Sequence, residues 1–457
     1  MSTPTRTEDP EEVDSRTWLD HWEPEDPEFW EETGKPIAWR TLWLTTFSLT
    51  MAFVVWFVVS ALVVRLPDVG FALDTGQLFW LAAMPGLAGG TLRILHTFLI
   101  PIYGTRHVVS ISTLLLLIPL GGWFFAVQDL STPFWILMVL AFAAGLGGGN
   151  FSSFMPSTSL FFPKRKQGTA LGIQAGVGNF GVSLVQFVTP WVIGVVALGG
   201  LAFVGSSQQL TLADGSVREV WLQNATLIWI PFVLIAGILS WLMLRSVPVR
   251  ADFREQLDIF RDKHTWLMTS LYVMTFGSFA GFSAAFPLLI RDSYGHLENA
   301  PDPLTYAFLG PLIGSAMRVV AGPVSDRLGG ARVTQIAGAG MVASTVGVMF
   351  FTSPDSMSDF PWFVAFMLGI FFFSGIGNAS VYKQVPMLFE TRQASGVLGW
   401  IAAVAAYGPF IVSSLVGETI EATGSPNPFF VGIAIFFVAN IGINWWYYAR
   451  RNAPHPC

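Results

Sequence analysis

The sequence predicts an all-α membrane protein: twelve transmembrane helices in two pseudo-symmetric six-helix halves, with both termini cytoplasmic. Three observations predict it. Hydrophobic residues make up 53% of the 457 and charged residues only 12%, with a mean hydropathy of +0.56; a soluble chain carries about twice that charge. The apolar residues gather into runs close to the ~20 residues that cross ~30 Å of hydrocarbon as a helix. Motifs of the first half recur in the second. This composition excludes a soluble enzyme, a disordered protein and a nucleic-acid binder.

The chain opens on a polar tail, residues 1–40, in which 12 of the 30 Asp and Glu residues lie between Glu8 and Glu32. It has neither a basic start nor a short apolar core, so it does not read as a signal peptide. A cytosolic extension is expected, in part disordered, with a short amphipathic stretch around Trp18–Trp30. The spans of the first half, 41–245, fall near 42–64, 77–103, 107–126, 133–162, 168–198 and 223–245. Those of the second half, 266–450, fall near 266–290, 304–325, 332–352, 361–388, 394–416 and 428–449. The amphipathic, charged stretch at 246–265 suits a cytosolic helix linking the halves, and 451–457 is a short tail.

Basic residues orient this array. Eighteen of the 24 Lys and Arg lie in the tails, the linker and the loops on one side, against Arg65, Arg218 and Arg291 in the opposite loops. Cytoplasmic loops carry the excess of positive charge, so both termini are expected inside. An even number of spans requires the same. The repeat supports two halves: Gly149-Asn-Phe-Ser in span 4 is echoed by Gly377-Asn-Ala-Ser in span 10, and Gly168-Thr-Ala-Leu-Gly172 opening span 5 by Ser395-Gly-Val-Leu-Gly399 opening span 11. Duplicated halves around a midplane site are the design of many secondary transporters.

Three basic residues remain. Arg93 lies in span 2, Arg318 at the equivalent place in span 8, and Lys383 in span 10. A charge within hydrocarbon costs several kcal/mol unless it is paired or faces water. An internal salt bridge is the usual answer, but the Asp and Glu residues all fall in the tail, in loops or at span ends. The missing negative charge is then expected from a ligand. Arginine presents a planar donor fork that stays charged, so two forks facing each other suit a small planar oxyanion. Phe151 in span 4 and Tyr272 and Phe276 in span 7 are candidate rings for its flat faces, although aromatic residues in membrane helices more often simply pack. Glycine-rich stretches in spans 4 and 5 let helices approach and slide, yet they leave Asn150, Asn179 and Asn378 to explain. An amide in hydrocarbon needs a partner. Asn179 is the preferred substrate contact and Asn378 the next.

Between spans 8 and 9, Gly322-Pro-Val-Ser-Asp326-Arg327-Leu-Gly329-Gly-Ala-Arg332 resembles the G-x-x-x-D-[RK]-x-G-x-[RK] loop of the major facilitator superfamily. The resemblance implies that Asp326, Arg327 and Arg332 form a gating loop. The counterpart between spans 2 and 3, Pro101-Ile-Tyr-Gly-Thr-Arg106, lacks the Asp. Arg93 within Gly-Gly-Thr-Leu-Arg, the segment Gly149-Asn-Phe through Phe162-Pro-Lys-Arg-Lys-Gln-Gly168, and Gly172 to Gly181 together resemble the nitrate/nitrite porters (NarK-like) over residues 40 to 450. That resemblance implies a major facilitator fold, nitrate and nitrite anions as substrates, the cytoplasmic (inner) membrane as location, and roles for named residues. Arg93 and Arg318 would clamp the anion, Phe151, Tyr272 and Phe276 would sandwich it, and Asn179 would bond an oxygen. Span 11 departs from the family, reading Gly399-Trp-Ile-Ala-Ala-Val-Ala-Ala-Tyr407-Gly408-Pro409.

Coupling is open between nitrate/nitrite exchange and nitrate–proton symport, with exchange preferred. Two unpaired arginines repel when empty, and no membrane carboxylate offers a proton relay. His96, one turn after Arg93, and Lys383 are the candidates for proton coupling; the plain alternatives are a His96 hydrogen bond to a carbonyl and a Lys383 that reaches the headgroups. An anion channel or anion-sensing receptor on the same scaffold is a remote third reading. No nucleophile–base pair, metal cluster or phosphate loop points to an enzyme. No cofactor is expected; the single cysteine, Cys457, is the last residue. The lipid bilayer is the surrounding partner, and the chain is expected to act as a monomer.

Overall fold

The computed structural model describes residues 17–97, 99–195, 205–211, 215–247 and 257–457. Among them, eleven helices are long and apolar enough to cross a membrane. They are α1 Pro27–Leu62, α2 Thr75–His96, α3 Leu99–Ala126, α4 Phe134–Phe161, α5 Lys164–Ile193, α6 Asn224–Met243, α7 Lys263–Tyr294, α8 Pro303–Leu328, α10 Met357–Leu388, α11 Gly396–Thr423 and α12 Asn427–Ala449. The predicted ninth span is a helix too, α9 Gly330–Met349, of 20 residues. Arg332 and Gln335 near its start and four glycines along it make it less apolar than the rest, so by apolarity the count is eleven, not twelve. In depth, α1 and α7 are the most enclosed, their apolar windows 78% and 94% buried, whereas those of α6 and α12 are 33% buried and face outwards.

The described part of the acidic tail is ordered against the helices. Residues 27–40 are helical and continue into α1, with Asp26 capping the first turn by accepting from the Glu28 N–H. Upstream, the Ser246 N–H donates to the Thr17 carbonyl and the Leu19 N–H donates to the Ser246 carbonyl, so the chain lies alongside the end of α6. Trp22 donates its indole N–H to the Leu160 carbonyl, and Trp30 is fully buried against Phe162. The stretch around Trp18–Trp30 is packed on the ends of α4 and α6, where its aromatic residues cover an apolar surface. The expectation of disorder for residues 1–16 lies outside the described residues. So do residues 248–256 of the predicted linker helix; the described part that follows is a 3-10 turn, Leu257–Arg261, running into the start of α7 at Lys263. A short antiparallel hairpin, β1 Gln208–Thr211 and β2 Val217–Val220, lies between α5 and α6. An Asp214-Gly215 pair between polar–apolar runs is its signal in the sequence.

The first described residues and the C-terminus lie on one face: Thr17 meets Ser246, and Cys457 accepts through its carbonyl from the Ala331 N–H at the start of α9. This is called the terminal face below, and the opposite one the far face. At the far face Arg291 of α7 donates to Asp68 at 2.6 Å and to the Val64 carbonyl at 2.5 Å, while Arg65 donates to Asp302 at 2.5 Å. These bonds tie the end of α1 and the loop after it to α7 and α8. Burial pushes the Asp68 carboxyl above its ordinary range, even with the Arg291 guanidinium beside it.

Several helices are interrupted where they meet the interior. α4 loses part of its hydrogen-bond ladder around Asn150, between Leu146–Gly149 and Phe151–Phe161, while the dihedrals there stay helical. α7 passes through a π-helical turn, Val273–Gly277, that carries Phe276; single π-turns of this kind re-aim side chains and recur at functional sites.

Candidate anion site

Arg93 is fully buried near the end of α2. Its Nε donates to the Gly148 carbonyl of α4 at 2.8 Å, and one terminal nitrogen donates to the Ala402 carbonyl of α11 at 2.7 Å. Those neutral acceptors offset part of the desolvation of the guanidinium. The other terminal nitrogen is buried and meets no protein acceptor. Aromatic rings enclose the group: Phe151 at 4.6 Å, Trp56 at 5.2 Å and Phe276 at 5.3 Å from its central carbon. Cation–π contacts of this length are attractive but do not neutralise the charge.

Arg318 of α8 is 8% exposed and shares the Phe276 ring, at 5.8 Å. One terminal nitrogen donates to the Tyr272 hydroxyl at 3.3 Å; the other is buried without a protein partner. Tyr272 and Phe276 stack in parallel, with centroids 5.4 Å apart and an interplanar angle of 4°. Phe151 lies 6.5 Å from Phe276. The structure thus brings together the two arginines and all three predicted rings, with Phe276 within 6 Å of both guanidiniums. Neither arginine makes an ion pair among the described residues.

Asn179 of α5 and Asn378 of α10 are both fully buried, and neither end of either amide has a protein partner. Asn150 differs: its amide nitrogen is 3.5 Å from the Ser112 carbonyl of α3, a contact between helices. His96 is 2.9 Å from the Ser153 hydroxyl through Nδ1, so its partner is a side chain of α4 and not the expected carbonyl. Lys383 forms an ion pair with Asp326 at 2.6 Å, with both side chains substantially exposed. It is therefore held by the last turn of α8 instead of reaching freely for headgroups. Arg327 and Arg332 are exposed and make no ion pair among the described residues, so of the gating loop only Asp326 has a charged partner.

Two residues around the arginines were missed in the sequence. Tyr382 lies with its ring 5.4 Å from the central carbon of Arg318 and 4.8 Å from Tyr272. The signal was available: it follows Asn378 by four residues and so shares a helix face with it. Trp56 flanks Arg93 and donates its indole N–H to the Pro85 carbonyl; nothing in the apolar run of α1 sets it apart.

A bundle of apolar helices that buries two guanidiniums, with uncommitted donors on both and no carboxylate paired with either among the described residues, has the build of a membrane carrier for an anion. Comparison with known proteins agrees with the fold. The family model for the major facilitator superfamily matches residues 42–385. Among solved structures, a bacterial homologue of the human lysosomal transporter Spinster, in an inward-facing and occupied conformation, superposes with a TM-score of 0.65 over 90% of this chain and 96% of that one, at 14% identity. Among relatives, the probable nitrate/nitrite antiporter NarK2 of Thermus thermophilus is 64% identical over 96% of this chain and 98% of its own. The nitrate/nitrite transporter NarU of Escherichia coli is 38% identical over 96% and 98%. The chain belongs to the nitrate/nitrite porter family of the major facilitator superfamily, a family of transporters and not of enzymes.

Proposed function

We propose that this protein carries nitrate and nitrite across the cytoplasmic membrane by alternating access, exchanging one anion for the other. The observation that carries the reading is the pair of buried arginines around Phe276, each with one donor nitrogen that no protein group accepts from. A planar oxyanion between them would receive a charge-assisted hydrogen bond from each. Its flat faces would lie against Phe151, Tyr272 and Phe276, and the amide nitrogens of Asn179 and Asn378 would donate to its remaining oxygens. The names of the relatives, a nitrate/nitrite antiporter among them, support both the substrates and the exchange.

Charge arithmetic favours exchange. Importing a monoanion alone against an inside-negative potential costs about 2.3 kcal/mol per 100 mV, and exchange cancels that cost. The two candidates for a proton relay are engaged otherwise, His96 with Ser153 and Lys383 with Asp326. The unfilled pair of guanidiniums would also repel, which disfavours closure without an anion.

The same reading places twelve helices across the membrane, with α9 as the ninth: its 20 residues reach about 30 Å. It divides the chain into halves at 41–245 and 266–450, joined by 246–265. It puts the terminal face in the cytosol, where most of the basic loop residues lie, and takes the monomer as the working unit. Asp326 would brace the cytosolic side through Lys383.

The test uses purified protein in liposomes with the potential clamped and a pH dye inside. External nitrate should enter vesicles preloaded with nitrite, and not empty ones, without acidification. Uptake into empty vesicles with matching acidification would establish proton symport instead and return His96 and Lys383 to the mechanism.

A further inference from the structure

Along the helices between the anion site and the ion pairs of the far face, one buried amide joins the two halves. Gln186 of α5 is fully buried. Its side-chain nitrogen donates to the Ser283 carbonyl of α7, in the second half, at 2.8 Å. The same nitrogen donates to the Ser60 hydroxyl of α1, in its own half, at 3.0 Å. That hydroxyl gives its own proton to the Phe57 carbonyl, so toward Gln186 it accepts. A backbone carbonyl only accepts as well, which orients the amide with its nitrogen toward both partners. The oxygen of Gln186 is left buried without a protein partner. An unmet buried acceptor destabilises this arrangement, so the bond between the halves carries its own counterweight. Helix spacing sets its depth. Gln186 follows Asn179 by seven residues on one face of α5, and Ser283 follows Phe276 by seven on α7, about 10 Å along each axis. Farther out, Ser60 and Ser283 precede Arg65 and Arg291, whose ion pairs with Asp302 and Asp68 close the surface. Beside Gln186, Phe187 packs against Phe308 of α8 with ring centroids 4.9 Å apart, again across the halves.

We propose that Gln186 is the inner gate residue of the far side: its bond to the Ser283 carbonyl holds α5 against α7, and it parts when the far side opens to admit an anion. The ion pairs form the outer layer of that closure and Gln186 the inner one. An uncharged amide suits the inner position, because it closes the path without a fixed charge that would trap or repel the anion. Opening frees its N–H donors two turns from Asn179, where an oxyanion on its way to the arginines accepts from them. The proposal rests on the alternating-access reading above, and the outward sense of the far face on the cytosolic assignment of the terminal face.

Two variants of the same buried contact test this in the full-length protein. Gln186→Met keeps the volume and removes the bond between the halves, whereas Ser60→Ala removes only the bond within one half. Gln186→Asn, a methylene shorter, serves in place of the methionine variant if that one does not fold. The reporter is Ser183→Cys in a Cys457→Ser background, a buried position between Asn179 and Gln186 on α5. It is labelled in intact cells by a membrane-impermeant maleimide. Labelling should rise about threefold or more with Gln186→Met, as loss of one hydrogen bond allows, and stay at the parent level with Ser60→Ala. In oriented liposomes, Gln186→Met should lower the half-saturating nitrate concentration at the far face and raise it at the terminal face. A general loss of packing would not move the two in opposite directions. Unchanged labelling in a folded Gln186→Met protein would overturn the proposal, and so would an equal rise with Ser60→Ala, which would make the contact one of packing. Labelling needs no nitrate. A protein that exchanges no nitrate yet shows the labelling change would therefore sink the transport reading and leave the gate in place.

Discussion

At Arg93 the fork geometry matters more than the charge. Two of its nitrogens are bound to the carbonyls of Gly148 and Ala402, which leaves a single terminal N–H₂ aimed at the interior. Lysine retains the charge but cannot hold two helices and present a donor at once. Arg93→Lys or Arg318→Lys should therefore reduce nitrate uptake into liposomes at least tenfold, in line with the roughly 1.5–3 kcal/mol of a hydrogen bond to a charged group. Retention of more than about a third of the wild-type rate would remove these residues from the clamp. Asn179→Asp would set a carboxylate against the incoming anion and should abolish binding measured by calorimetry, whereas an unchanged affinity would mean that Asn179 faces elsewhere in the working state. His96→Ala removes a side chain bonded to Ser153. Exchange should stay within about twofold of wild type, while loss of pH-driven uptake alone would indicate symport.

At the scale of the helices, close backbone approach fixes where these side chains meet. A Cβ at Gly375 of α10 would lie 2.2 Å from the Gly314 carbonyl oxygen of α8, against backbone that cannot rotate away. Gly375→Ala should therefore push α8 and α10 apart. The cost is about 1–3 kcal/mol, read as a lower melting temperature and as reduced transport, because α8 carries Arg318 and α10 carries Asn378 and Tyr382. Gly432→Ala in α12, where a Cβ meets nothing within 4 Å, is the matched control and should melt like wild type. α11, whose sequence departs from the family pattern, makes close contacts of the same kind. Its Ala402 carbonyl accepts from Arg93, and Tyr407 packs over Gly90 and meets the Thr91 hydroxyl at 2.9 Å.

For the whole molecule, the ion pairs of the far face join residues more than two hundred positions apart: Arg65 with Asp302 and Arg291 with Asp68. They close that face, so alternating access requires that they separate. Asp68→Asn should bias the protein toward opening there. The readout is labelling by a membrane-impermeant maleimide at Ser293→Cys, a buried position of α7, in a Cys457→Ser background. Labelling should rise several-fold. Unaltered labelling would mean that packing and not charge holds the far face. In the sequence, Arg65 and Arg291 count only as the minority of basic residues on the far side; their value lies in the acidic neighbours that folding supplies.

Apolar runs, charge bias and short motifs are local quantities, and the burial of a helix in lipid depends on little else. For that reason the helical membrane class, the places of the spans, the unpaired Arg93 and Arg318, and the rings Phe151, Tyr272 and Phe276 are all legible in the order of the residues alone. The family follows from the same residues. The tertiary structure decided what depends on distant contacts: the docking of Trp22 and Trp30, the pairing of Lys383 with Asp326, the enclosure of the arginines by Trp56 and Tyr382, the closed far face, and the bond from Gln186 to Ser283. A hydrogen bond or ion pair between residues hundreds of positions apart leaves no periodic trace along the chain, and only the folded geometry states which charge meets which.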